Sequence, residues 1–221
     1  AHVGWDYIAL DLQHGIIGYA GMVAGLTAID ASHGPVGLVR VEANDPTPIG
    51  RALDAGAAGV IVPLVNNAEE AARAVLAATY PPNGIRSYGP MRSQLRIGPL
   101  PAVADRDTVV LAMIETPQGL ANVGEICSVP GLDGVYVGPS DLRLAVGGSH
   151  PADPDVDDEF EAALARVSRA AAAAGIAAGI HTADGTTAAR RLAEGFTFAT
   201  VASDLVHLKL ASAAHLKAAQ G

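Results

Sequence analysis

Apolar runs of four to eight residues recur along this chain, each followed by a stretch whose apolar residues return at helical spacing. No other feature constrains the fold as strongly, because strands buried on both faces and covered by crossover helices read in this way. The runs are Tyr7 to Leu12, Val36 to Val41, Gly59 to Val65, Thr108 to Ile114, Gly134 to Val137, Ala177 to His181 and Phe198 to Ala202. Between and after them the spacing predicts helices over Tyr19 to Ser32, Pro46 to Ala55, Ala68 to Ala78, Pro117 to Ser128, Asp157 to Ala174, Asp184 to Glu194 and Leu205 to Ala219. Gly56 and Gly195 supply stop signals, and Asp157 and Asp184 stand near helix heads. No Ser/Gly-rich linker divides the 221 residues, so a single domain over 1–221 is expected. The one long irregular connection is Tyr80 to Pro101, with five of the fourteen prolines. Loops of that length are usually functional.

A βα repeat leaves a doubly wound sheet or a (β/α)8 TIM barrel. The early strand leads into Asp11-Leu12-Gln13-His14-Gly15 rather than G-x-G-x-x-G, which disfavours a dinucleotide site and favours the barrel. Seven units leave one unaccounted for. Because the chain opens almost directly on a strand, the missing piece is most simply a first βα unit of roughly thirty residues, leaving the domain N-terminally short. With 50% hydrophobic and 17% charged residues, disorder and coiled coil are out. The longest apolar stretch, Ala170 to Ile180, covers 11 residues and is too short to span a bilayer. No signal peptide is visible in a chain that begins at Ala1. A net charge of −9 without basic clusters argues against nucleic acid. The single Cys127 excludes an intrachain disulfide or a Cys-rich zinc site and suits a reducing cytoplasm.

In either architecture the chemistry belongs at the C-terminal ends of strands. The first run ends on Asp11, Gln13 and His14; the second carries Arg40, followed by Glu42, Asn44 and Asp45. Glu115 follows the fourth run, and the fifth leads into Gly138-Pro139-Ser140-Asp141. The last two runs end on His181-Thr182 and Ser203-Asp204. Glu115 and Asp141 would each hold a carboxylate at the rim of a dry core, where an unpaired charge is costly. As hard oxygen ligands they suit Mg²⁺ or Mn²⁺; as helix caps they would serve the helices that follow, and both readings stand. His14 is a candidate general base or a surface loop residue, and His181 is a second histidine at a strand end. His2, His33, His150, His207 and His215 read as surface residues. Arg40, inside an apolar run, reads as a carboxylate or phosphate clamp or as a salt-bridge partner of Glu42 or Asp11. Pro81-Pro82-Asn83-Gly84-Ile85-Arg86 is a shaped loop expected to present Arg86. The turn at Gly138 and Pro139 can point the amides of Ser140 and Asp141 at an anion.

Taken together these segments resemble the HpcH/HpaI aldolase family, metal-dependent class II pyruvate aldolases on a (β/α)8 barrel of the phosphoenolpyruvate/pyruvate type. The resemblance is carried in order by Ile8 to Gly15, Val39-Arg40-Val41, Asn44-Asp45-Pro46, Gly59 to Pro63, Tyr80 to Ser87, Met113-Ile114-Glu115-Thr116 and Gly134 to Leu142. It implies that Glu115 and Asp141 bind Mg²⁺, Mn²⁺ or Co²⁺ and that His14 is the catalytic base. It further implies that Asp54 raises the basicity of His14 and that Arg40 steadies the keto oxygen and the enolate. The backbone at Ser140 and Asp141 would cradle the pyruvate carboxylate. The implied reaction is retro-aldol cleavage of 4-hydroxy-2-oxo acids, or its reverse with an aldehyde, through a pyruvate enolate. The same resemblance implies a homo-hexamer in the cytoplasm and a place in the breakdown of aromatic compounds. Two positions depart from the family pattern: Met113 stands where a substrate-contacting Gln is common, and Gln13 where a Glu commonly precedes the histidine. Gln13 removes a charge beside His14 and so eases its deprotonation. The alternatives are a citramalyl- or malyl-CoA-type lyase on a related barrel, and a non-catalytic metal or keto-acid binding protein.

Overall fold

The computed structural model describes residues 1–221. Its elements run β1 (Tyr7–Asp11), α1 (Tyr19–Ala31), β2 (Val36–Arg40), α2 (Pro46–Asp54), β3 (Gly59–Val62), α3 (Ala68–Ala78), α4 (Pro101–Asp107) and β4 (Val109–Ile114). They continue with α5 (Pro117–Ala121), α6 (Val123–Cys127), β5 (Gly134–Val137), α7 (Pro139–Ala145), α8 (Asp157–Ala174), β6 (Ala177–Thr182), α9 (Gly185–Ala193), β7 (Phe198–Val201) and α10 (Asp204–Gln220). All seven strands pair in parallel and in chain order, β1 to β7. That order curls the sheet into a nearly closed barrel. No ladder joins β7 to β1; the Tyr7 hydroxyl bridges them, 2.6 Å from Thr200 Oγ1, and the Tyr7 and Phe198 rings meet edge to face.

Side-chain alternation divides the apolar residues into two cores. One face of each strand packs on the helices, where Val39, Val60, Ala112, Val135 and Ile180 join Leu26, Ile49 and Val167. The other face fills the barrel with Leu38, Ile61, Leu111, Met113 and Tyr136, flanked by Tyr7, Ala9 and Phe198. Every residue of β3 and β5 is buried, whereas every residue of β1 and β7 is only half-buried. With seven strands in the sheet, the wall stands open between β7 and β1.

Helix starts are chemically well defined, which fixes where each strand must end. Asp45, Asn67, Thr116, Asp184 and Ser203 each accept a hydrogen bond from the backbone N–H of the helix they precede. Such a cap contributes about 1 kcal/mol. Proline occupies the first turn of α2, α4, α5 and α7, where its missing N–H costs nothing. Three differences from the sequence reading have local causes. The helix expected over Pro117 to Ser128 breaks at Asn122, whose side chain donates to the Asn66 carbonyl. The short helices α4 and α7 lie outside the predicted set, and each is opened by a proline in its first turn, Pro101 and Pro139. The run Gly59 to Val65 stops pairing at Val62, because Leu64 turns into the left-handed region with φ 56°.

No helix is long and apolar enough to cross a membrane. α10 carries apolar residues on all sides, yet none of its residues is buried; Leu205, Leu208, Leu210 and Leu216 are all exposed.

Candidate active site

The strand ends converge on a cavity of about 840 Å³ that extends along the open side between β7 and β1 to Trp5, Ile8 and Leu205. Asp11, Arg40, Met113, Tyr136, His181 and Thr200 reach it from the barrel, and His14 and Gly138 to Asp141 from the rim.

Arg40 and Asp11 are register partners at the ends of β2 and β1, and their side chains form a forked pair. Arg40 Nε donates to Asp11 Oδ1 at 2.8 Å and Nη2 donates to Oδ2, while Nη1 has no protein acceptor. The salt-bridge and anion-clamp readings are therefore compatible: one edge of the guanidinium is held and the other is open. Burial raises the Asp11 carboxyl, but Arg40 and the amides of His14 and Gln13 outweigh it and hold it below the ordinary value. Burial opposes the Arg40 charge, yet Asp11 and, through space, Glu115 raise its pKa.

Glu115 follows β4 and is 3% exposed. Its Oε1 accepts from the Leu64 amide at 2.8 Å, which accounts for the left-handed turn there, and its Oε2 accepts nothing from the protein. Burial pushes its pKa up, the Leu64 bond lowers it, and the charge of Asp141 raises it again. Neither carboxylate is a helix cap: Thr116 caps α5, and Asp141 lies within the first turn of α7 with no capping bond. Gly138 makes room for this arrangement, since a Cβ there would stand 2.6 Å from Glu115 Oε2 and 3.0 Å from Met113 Cε. The first intrahelical bond of α7 is Leu142 N–H to Gly138 O, which leaves the amides of Ser140 and Asp141 unused by the helix. No third histidine, cysteine or carboxylate joins the pair as a ligand cluster.

His14 is exposed at the rim, its amide donating to Asp11 Oδ1 at 3.2 Å. Gly15 lets the chain turn this tightly, because a Cβ would stand 1.9 Å from the Asp11 carbonyl oxygen. Gln13 turns its Oε1 into a buried position without a hydrogen-bond donor. Met113 is buried on the cavity wall. Asp54 is not brought to this group within the chain. It ends α2 at the N-terminal end of β3, where Arg86 Nη2 donates to its Oδ1 at 2.9 Å. Arg86 is not presented by its loop: its side chain is 2% exposed and stacks over the Tyr80 ring.

No sequence signal marks Leu64, Tyr7, Tyr136 or Thr200, although the structure places them at the site. Leu64 sits in a continuous apolar run, and for the other three nothing in the residue pattern distinguishes the barrel-facing side of a strand from the helix-facing side.

A parallel barrel with a half-open arginine and two carboxylates at its C-terminal rim has the layout of a (β/α)-barrel enzyme. Comparison with known proteins makes that specific. A family model described as HpcH/HpaI aldolase/citrate lyase matches residues 1–211. The hydroxypyruvate/pyruvate aldolase of Rhizorhabdus wittichii is 43% identical over 213 residues, covering 96% of this chain and 84% of that protein. The 4-hydroxy-2-oxovalerate aldolase of Rhodococcus jostii is 38% identical, covering 92% and 79% respectively. A crystal structure of an HpcH/HpaI aldolase/citrate lyase family protein from Burkholderia cenocepacia superposes with a TM-score of 0.88 at 30% identity, covering 100% of this chain and 88% of that one. The chain belongs to the HpcH/HpaI aldolase/citrate lyase family. Its activity is that of an aldolase, a carbon–carbon lyase.

Proposed function

We propose that this aldolase uses a divalent metal ion and cleaves or forms 4-hydroxy-2-oxo acids through a pyruvate enolate. The observation that carries the reading is Glu115: a buried carboxylate with one oxygen held by the Leu64 amide, the other unclaimed, and the charge of Asp141 beside it. The sequence expectation of two carboxylates at a dry rim holds for Glu115 only, since Asp141 is exposed. A buried carboxylate with a solvent-facing one beside it fits a hard cation that takes its remaining ligands from water and substrate. When bound, Mg²⁺, Mn²⁺ or Co²⁺ supplies the positive charge that offsets the acid's carboxylate and draws electrons from its carbonyl.

The residues of the chain divide the remaining work. The open edge of Arg40 donates to the keto oxygen, and its charge favours the enolate as negative charge gathers there. Asp11 holds the guanidinium in that orientation. The amides of Ser140 and Asp141 receive the substrate carboxylate, and Met113 offers an apolar wall at the position where the family resemblance implies a glutamine. In cleavage His14 accepts the proton of the 4-hydroxyl, the C3–C4 bond breaks, and its electrons pass toward the keto oxygen held by Arg40. Asp54 belongs to this chemistry only through contact between copies, since within one chain it lies at the other end of the barrel. The fully exposed apolar α10 supports a homo-oligomer, and a hexamer is what the family resemblance implies. A single buried Cys127, its thiol pushed up to about 11 by burial, suits a reducing cytoplasm.

The test is pyruvate release from a panel of 4-hydroxy-2-oxo acids by protein stripped with chelator and reloaded with Mg²⁺, Mn²⁺ or Co²⁺. Release is expected only after reloading. Equal release from the stripped protein would overturn the metal requirement, and no release with any metal or substrate would overturn the substrate class.

A further inference from the structure

One wall of the cavity is a run of hydrogen-bonding side chains that the aldol chemistry above leaves unused. Thr200 Oγ1 lies 2.6 Å from the Tyr7 hydroxyl and 2.7 Å from the Tyr136 hydroxyl. Three hydroxyls bring three protons to these two hydrogen bonds, so the trio keeps a proton to donate. His181 is the ladder partner of Thr200 across β6 and β7, and both line the cavity. Its imidazole is half-buried and bonds to nothing in the protein, although a neutral ring offers one donor and one acceptor. Burial, then the charge of Arg40, hold its pKa below the ordinary value against a smaller opposite pull from Asp11. Both hydrogen-bonding modes are thus present at neutral pH. Ile61 and Met113, which also line the cavity, offer none.

A half-buried donor and acceptor without protein partners favours a ligand that supplies them and disfavours one that leaves them unmet. Building on the aldolase reading, we infer that His181, backed by Thr200, is a specificity-determining residue that receives a hydroxyl group carried on the carbon next to a reacting carbonyl. The hydroxyl comes from one of two sources. It is carried either by a 3-hydroxy-2-oxo acid acting as nucleophile or by a 2-hydroxyaldehyde acting as acceptor.

The experiment measures kcat/KM for hydroxypyruvate against pyruvate with one acceptor, and for glycolaldehyde against acetaldehyde with one donor. The wild type is compared with His181→Leu, His181→Gln and Thr200→Val, each checked for an unchanged melting curve. His181→Leu is expected to lower the preference for the hydroxylated partner by about tenfold or more in one of the two arms, and that arm identifies the source. His181→Gln, which keeps a donor and an acceptor, restores most of the preference; Thr200→Val lowers it in the same arm by less. An unchanged ratio in both arms for His181→Leu, including equal losses on all substrates, overturns the inference. Absence of turnover in the wild type with every pair overturns the aldolase reading instead.

Discussion

Two of the molecule's arginine–aspartate pairs stand at opposite ends of the barrel, and they differ in which partner is left open. Arg40 and Asp11 sit at the C-terminal ends of adjacent strands with one edge of the guanidinium open to the cavity. Arg86 and Asp54 sit at the N-terminal end of the barrel, the arginine sealed at 2% exposure against the Tyr80 ring and its Nε without an acceptor. Each pair looks alike as residue types. The first leaves a cation available to an incoming anion. The second closes the cation off and leaves an acid, 26% exposed, with Oδ2 free of protein donors. At the cavity end the open group is the arginine, and at the other end it is the aspartate.

Removing the open arginine should give the largest effect. Arg40→Ala is expected to lower kcat/KM about a thousandfold, the scale of losing a charged donor to a developing oxyanion. Asp11 is part-buried with solvent access, so the fold should survive. Steady-state kinetics with a melting curve check both points. Full activity in the variant would place the charge stabilisation elsewhere on the rim.

The second pair is tested through its acid. If Asp54 serves His14 across a contact between copies, His14→Ala and Asp54→Asn proteins are each nearly inactive alone. Unfolded and refolded together in equal amounts, they should regain about a quarter of wild-type activity, because random assembly completes that fraction of shared sites. No regain, with oligomers of normal size, would confine Asp54 to holding Arg86.

Much of this was legible in the sequence because the strands are buried on both faces and their helices are capped. Glu115, Arg40 and Asp141 could be placed at strand ends for that reason, and Thr116 rather than Glu115 proves to be the cap. Leu64 was not legible: a left-handed leucine carries no turn signal, and its role depends on a carboxylate 51 positions later. Tyr7, Tyr136 and Thr200 were equally hidden, since a strand apolar on both sides does not say which side faces the barrel. The prolines of its loop predict an Arg86 presented to solvent. The loop's direction, however, is set by the Asp54 and Tyr80 side chains it packs on.

The smallest expected effect concerns the carboxylate that Arg40 faces through space. Because Glu115 is raised by burial and by Asp141, the folded protein binds its proton more tightly than the unfolded chain. Its contribution to stability is complete below the ordinary carboxylate range and is lost as pH rises through the folded value. At neutral pH, without metal, the ionised side chain therefore costs stability. Glu115→Gln keeps an oxygen for the Leu64 amide and removes the charge, so in chelator at neutral pH it should gain about 1 kcal/mol, read as a higher melting temperature. The gain should shrink on acidification. With Mn²⁺ at about a hundred times its Kd the order should reverse, because binding to the wild type alone stabilises it by about 2.7 kcal/mol. A variant less stable than the wild type in chelator would mean that Glu115 anchors the Leu64 turn through its charge. A carboxylate held for a cation gives the opposite sign, and the rim then differs from the N-terminal end of the barrel in storing unfavourable charge where a ligand will neutralise it.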